Sequence, residues 1–228
     1  ESDDPGDAAK AIELCKTSTG PKDWGLVSAK WVLADGADPP TDPALRHAYD
    51  VGHGMLATFG PNVAARKGQH MLGLSSGSAR QPSDPGYLAP SSAIKGFSSG
   101  QPAGFPKESP ACPGTVTGDP FDAAAVELEI LAPSNATGIS FDFDFYTYEW
   151  PDFVCSTFND FFVALLSPAL GLVAAPASAS AADFVNPSSD GQVVTALTVK
   201  ANAPGCSPSP FKSCPSGTTL TLKGPGGT

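Results

Sequence analysis

The stretch FDAAAVELEILAPSNATGISFDFDFYTYEW, residues 121–150, decides how the rest of the chain is read. Its first half alternates, with Val126, Leu128 and Ile130 on one side and Glu127 and Glu129 on the other, which is the period of a half-buried strand. NATG at 135–138 supplies a turn, and the second half then places Phe141, Phe143 and Phe145 inward and Asp142 and Asp144 outward. The pattern predicts an antiparallel hairpin at the centre of a β domain.

Working outward, NDFFVALLSPALGLVAA (159–175) is apolar on both faces and predicts a central strand or two. QVVTALTVKA (192–201) and TTLTLKG (218–224) predict further strands, and WGLVSAKWVLAD (24–35) a strand or strand pair that the DGADPPTDP cluster breaks. DAAKAIELCK (7–16) has helical spacing behind an aspartate and predicts one short N-terminal helix. Residues 82–118 are dominated by Pro, Gly, Ser and Ala, and predict an ordered, irregular loop lying on the domain. With 24 glycines and 24 prolines and no repeat, the expectation is an all-β, jelly-roll-like antiparallel β-sandwich with long irregular loops, one domain over 1–228.

Composition narrows the function classes. The formal charge is −10 with 13 basic against 23 acidic residues, and no basic stripe interleaved with aromatics is present, so nucleic acid is not an expected partner. No apolar run reaches the length of a membrane span. Five cysteines without a C-x-x-C pair argue for disulfides in an oxidising compartment. Cys206 and Cys214, eight apart, are the expected local bridge; the partners of Cys15, Cys112 and Cys155 stay open. The chain opens at ESDDPGD without an initiator Met or signal peptide, as a processed secreted protein would.

Carboxylates inside an aromatic run raise the question of a ligand, because burying one unpaired costs several kcal/mol. Alternation carries Glu149 to the rim of the phenylalanine face, Pro151 ends the strand, and Asn159 and Asp160 open the next. Glu149, Asp152, Asn159 and Asp160 therefore form the candidate calcium site, offering hard oxygen ligands from two strand ends. The alternative is that Glu149 pairs with Arg46, Arg66 or Arg80 and that Asn159 and Asp160 simply make a turn. Tyr146, Tyr148 and Trp150 share a face and form the candidate glycan platform, against the alternative that they pack beneath the long loop.

Catalytic readings are weaker. GLSSG (73–77) fits G-x-S-x-G around Ser75, but prolines follow where an elbow needs a helix, and His47, His53 and His70 all precede the serine. Ser75 and Ser76 read instead as a strand-to-turn feature. Glu127 and Glu129 share a solvent face and nothing selects an acid from a base. His53, in VGHGM, reads as a turn histidine.

The segment FDAAAVELEILAPSNATGISFDFDFYTYEWPDFVCSTFNDFFVALL resembles the central part of the bacterial choice-of-anchor L domain, with its D-A-x-x-L strand, F-x-F-x-F-x-S-E-E-Y-P-x-x-V and F-N-D-x-F. GQHMLGLSSGSAR (68–80) is similar to that family's G-x-x-L-S-S-G segment, so the resemblance covers about 60–215. It implies a noncatalytic, β-rich module of a secreted or surface-anchored bacterial protein, with structural or adhesive work. Two departures matter: Tyr148-Glu149 stands where the family has a doubled acid, and the family's later strands, with their D-S-x-x-x-D-N segment, are absent after Thr228. Either the chain is a fragment, or the incomplete sheet would be filled by self-association or by a complementing C-terminal segment.

Overall fold

A computed structural model describes residues 3–60, 63–89, 95–102, 105, 112–115, 118–133, 141, 143, 144, 146, 155–158, 161–165, 181–185, 198–201 and 220–223. The chain divides into two compact units, Glu1–Ala103 with Asp119–Ile139, and Gly104–Gly118 with Ser140–Thr228. The boundary at Ile139/Ser140 falls between the alternating run of 123–132 and that of the phenylalanines at 141–145.

In the first unit, helix α1 spans Pro5–Ala11 and strand β1 Gly25–Val32. Helix α2 spans Pro43–Asp50, followed by β2 (His53–Leu56), β3 (Thr58–Phe59), β4 (Val63–Ala64), β5 (Met71–Leu74) and β6 (Ala125–Leu131). The second unit holds β7 (Phe161–Leu165), β8 (Ala181–Val185), β9 (Thr198–Ala201) and β10 (Leu220–Lys223). The described strands pair two by two, all antiparallel: β1 with β6, β2 with β5, β3 with β4, β7 with β8, and β9 with β10. The described residues thus form mostly strands in small antiparallel sheets, with two short helices. No described helix is long and apolar enough to cross a membrane.

The expected helix over 7–16 exists but starts earlier and stops at Ala11. Asp4, not Asp7, caps it by accepting from Gly6 N (2.9 Å), and Pro5 occupies the first turn, where its missing N–H costs nothing. At the other end Glu13 N donates to Lys10 O (3.0 Å) and Leu14 N to Ala9 O (2.9 Å), with Glu13 in the left-handed region at φ 68. That is the double closure of a Schellman turn, usually marked by glycine; a glutamate there hides the stop from sequence reading.

Helix α2 was not expected, because DGADPPTDP reads as a breaker. Its last two residues are in fact a start signal: Asp42 accepts from Ala44 N (2.9 Å) and Leu45 N (3.1 Å), and Pro43 is preset for the first turn.

Strand β6 keeps its alternation over Val126–Glu129, with the two apolar residues half-buried and the two glutamates exposed. Glu127 pairs with Lys30 (3.4 Å) and Glu129 accepts from Ser28 Oγ (3.0 Å), both across β1 on the wet face. Ile130, expected inside, is exposed. The register slips between Leu26 and Ser28, and this bulge ends the in-phase pairing and turns Val27 out to solvent. Most of the expected partner run, 139–150, lies outside the described residues.

Trp31, Tyr49, Phe97 and Ala8 form the core of the first unit, with Leu33, Met55, Leu72 and Val126 packed around them. Phe97 comes from the irregular 82–118 segment, whose described part is ordered by named bonds. Asp122 accepts from both Lys95 N (2.9 Å) and Phe97 N (3.1 Å), and Asp35 accepts from Gly100 N (3.0 Å). In the second unit, Phe143 stacks on Phe162 of β7 (4.2 Å), with Phe141 edge-on to the same ring, and Cys112 is disulfide-bonded to Cys155 (Cα–Cα 5.3 Å). Asp144, expected outward, is half-buried.

Candidate functional site

Glu149, Asp152, Asn159 and Asp160, the expected calcium ligands, lie outside the described residues, as do Tyr148, Trp150, Cys206 and Cys214. Tyr146 is described: it is half-buried and its hydroxyl oxygen is shut off from solvent. Among the described residues, no group of three or more His, Cys, Asp or Glu is placed to hold a metal ion. Cys15 is an exposed free thiol.

The described chemistry gathers instead around the turn that joins α2 to β2, Asp50-Val51-Gly52-His53. Its four successive carbonyls are all engaged. Arg80 Nη2 donates to Asp50 O (3.0 Å), Ala79 N to Val51 O (2.8 Å), Ser75 N to Gly52 O (2.8 Å), and Arg80 Nη1 to His53 O (2.5 Å). The guanidinium therefore caps the carbonyl end of α2, where the helix dipole favours a cation, and ties it to the first residue of β2. From the opposite direction Lys95 Nζ reaches Ser75 O (3.1 Å) and lies over the Phe97 ring.

Two glycines make this approach possible. A Cβ on Gly52 would stand 3.0 Å from Ser75 O and 3.1 Å from Tyr49 O, and on top of Lys95 Nζ; one on Gly54 would meet Ala79 O at 2.7 Å. GHG in the sequence is thus a packing requirement on both sides of a histidine.

That histidine is no turn residue. His53 opens β2, is 1% exposed, and stacks on Trp31 with ring centroids 3.8 Å apart. Tyr49 meets it edge-on, its own hydroxyl donating to Val32 O (2.8 Å). Neither ring nitrogen of His53 has a hydrogen-bond partner among the described residues. Its nearest carboxylate is Asp50, 3.7 Å from Nε2, and that oxygen already binds Arg46 Nε at 2.8 Å.

Burial dominates the electrostatics. It pushes the His53 imidazole down to about 4, with Asp50 opposing and Arg80 reinforcing, and it pushes the Lys95 amine down to about 8 against the opposing pull of Asp122. It holds the Tyr49 phenol well above its ordinary value. At neutral pH the cluster therefore contains a neutral histidine, a cationic arginine, and a lysine close to losing its proton. Ser75 Oγ accepts from Gly77 N (3.0 Å), while Lys95 contacts the Ser75 carbonyl, so the GLSSG serine sits in a strand-to-turn feature after β5.

Sequence reasoning passed over Lys95 and Asp122, and weighed Arg80 only as an ion-pair partner for Glu149. The available signals were modest: a lone lysine between Ile94 and Gly96 in a segment otherwise poor in charge, and the flanking glycines of His53. A separate open cleft of about 360 Å³ beside α1 is lined by Asp7, Lys10, Glu13, Met55, Gln69 and His70, with Asp7 and Lys10 paired at 2.7 Å. Comparison of the chain with protein-family models, with curated proteins and with solved structures gives no match.

Proposed function

We propose that this chain is a secreted bacterial surface module with a structural or adhesive role, of the choice-of-anchor L kind, built as a jelly-roll-like sandwich and performing no catalysis. The observation that carries the reading is the Cys112–Cys155 disulfide, which closes the chain over a separation of 43 residues. Such a bond persists in oxidising compartments and is rare in a reducing cytosol. The antiparallel strand pairs, the acidic balance and the motif resemblance point the same way. In this reading copies associate through sheet edges, and calcium held by Glu149, Asp152, Asn159 and Asp160 braces the loop between two central strands. That ligand set rests on residue chemistry alone.

Peptide mapping of material exported by its bacterial host, without reductant, is the test. The expected result is a Cys112–Cys155 cross-link and concentration-dependent association on size exclusion. Recovery with both thiols free refutes the extracellular reading. Selective glycan binding that is lost in Trp150→Ala would place the chain instead among carbohydrate-binding modules.

A further inference from the structure

We propose that His53 is an acid-operated latch: on taking up a proton it leaves the slot between Trp31 and Tyr49 and releases the turn that joins α2 to β2. The inference stands on the geometry of the slot and is independent of the proposed function.

A neutral imidazole fits this slot because it offers a flat apolar face to Trp31 and only one N–H to be left without a partner. Protonation adds a second N–H and a full charge. Among the described residues no acceptor stands ready for either: the near carboxylate, Asp50 on α2, is 3.7 Å away and committed to Arg46. The other charged groups acting on the ring are Arg46 on α2, Arg80 after β5, and Asp3 before α1. Two of these are cations, and Arg80 is fixed against the carbonyl of His53 itself. The Trp31 face attracts an imidazolium, yet it leaves both N–H groups dry.

The remedy is water, and the ring reaches it only by leaving. Because His53 is the first residue of β2, its exit draws the Arg80 bonds to Asp50 O and His53 O with it. The Gly52 and Val51 carbonyls then lose their alignment with Ser75 N and Ala79 N. Lys95, wedged against Gly52, reaches Ser75 O beside the same turn.

Amide exchange of Ser75 and Ala79 in the full chain reports the turn, and the His53 Cε1 proton reports the ring, in the same nuclear magnetic resonance titration. With the closed ring titrating near 4 and the released ring near 6.5, opening should rise about five- to sevenfold per pH unit between pH 6 and pH 4. Relative to pH 7, that is roughly fifty-fold faster exchange at pH 4.5, after correction for the intrinsic rate. In His53→Phe, whose ring fills the slot and cannot titrate, the two amides should show no such acceleration. If that variant does not fold, the unaltered chain still decides. A His53 signal with its midpoint at the ordinary imidazole value, or Ser75 and Ala79 exchange changing less than about threefold by pH 4.5, overturns the latch.

Discussion

Lys95 makes the chain more stable in mild alkali, a direction opposite to that of most proteins. Its amine is buried against Ser75 O and the Phe97 ring and pushed down to about 8, whereas in the unfolded chain it titrates near 10.5. Between those two values the unfolded chain holds a proton that the folded chain has given up, so raising the pH favours folding. The full difference of 2.5 pH units corresponds to about 3 kcal/mol, of which about 2.5 kcal/mol is gained between pH 7 and pH 10. Beyond pH 10 the trend reverses, because the buried Tyr49 phenol keeps its proton while an unfolded tyrosine ionises. Urea unfolding followed by circular dichroism at half-unit pH steps should therefore show a maximum near pH 10. Lys95→Met removes both the buried amine and its bond to Ser75 O. Relief of desolvation and loss of about 1–3 kcal/mol of hydrogen bonding nearly cancel at pH 7, and the alkaline rise disappears. A variant that keeps the rise, or an unaltered chain whose stability falls steadily from pH 7 to pH 10, refutes this account of the cluster.

Other consequences are equally direct. Gly52→Ala forces a methyl onto Lys95 Nζ and toward two main-chain oxygens, so thermal unfolding should report a loss of about 1–3 kcal/mol, part of it recovered in a Lys95→Ala background. Cys112→Ala opens a loop that spans a separation of 43 residues and should cost about 4 kcal/mol in urea unfolding without reductant, with no additional loss when Cys155→Ala is combined with it. If calcium sits on Glu149, Asp152, Asn159 and Asp160, adding it at a hundredfold over its Kd should raise the melting temperature by about 5–10 °C, and Asp160→Asn should remove most of that rise. An identical melt in excess EDTA eliminates the metal.

Much of the strand pattern can be read from the chain because alternation is a local property: each residue of Val126–Glu129 faces the way its own polarity and the two-residue period require. The Asp4-Pro5 and Asp42-Pro43 helix starts are local in the same sense, although the expected helix begins at Asp7 instead of the first and the second reads as a breaker. Helix α1 ends where no local rule says it must, because Glu13 adopts a glycine's backbone conformation. Register is not local at all: Ile130 faces solvent on account of a bulge in β1, more than a hundred positions away, and no property of residues 125–131 records it.

The cluster at His53 shows the same divide more sharply. Histidine between two glycines, an arginine at 80 and a lysine at 95 are visible as letters, composition gives an acidic chain with five cysteines, and alternation points to strands. That the arginine caps α2, that the lysine is stripped of water, and that the histidine lies dry against Trp31 follow from four segments closing on one turn. Burial and proximity belong to the folded arrangement, because the cost of a charge depends on what surrounds it in space and not on its neighbours along the chain.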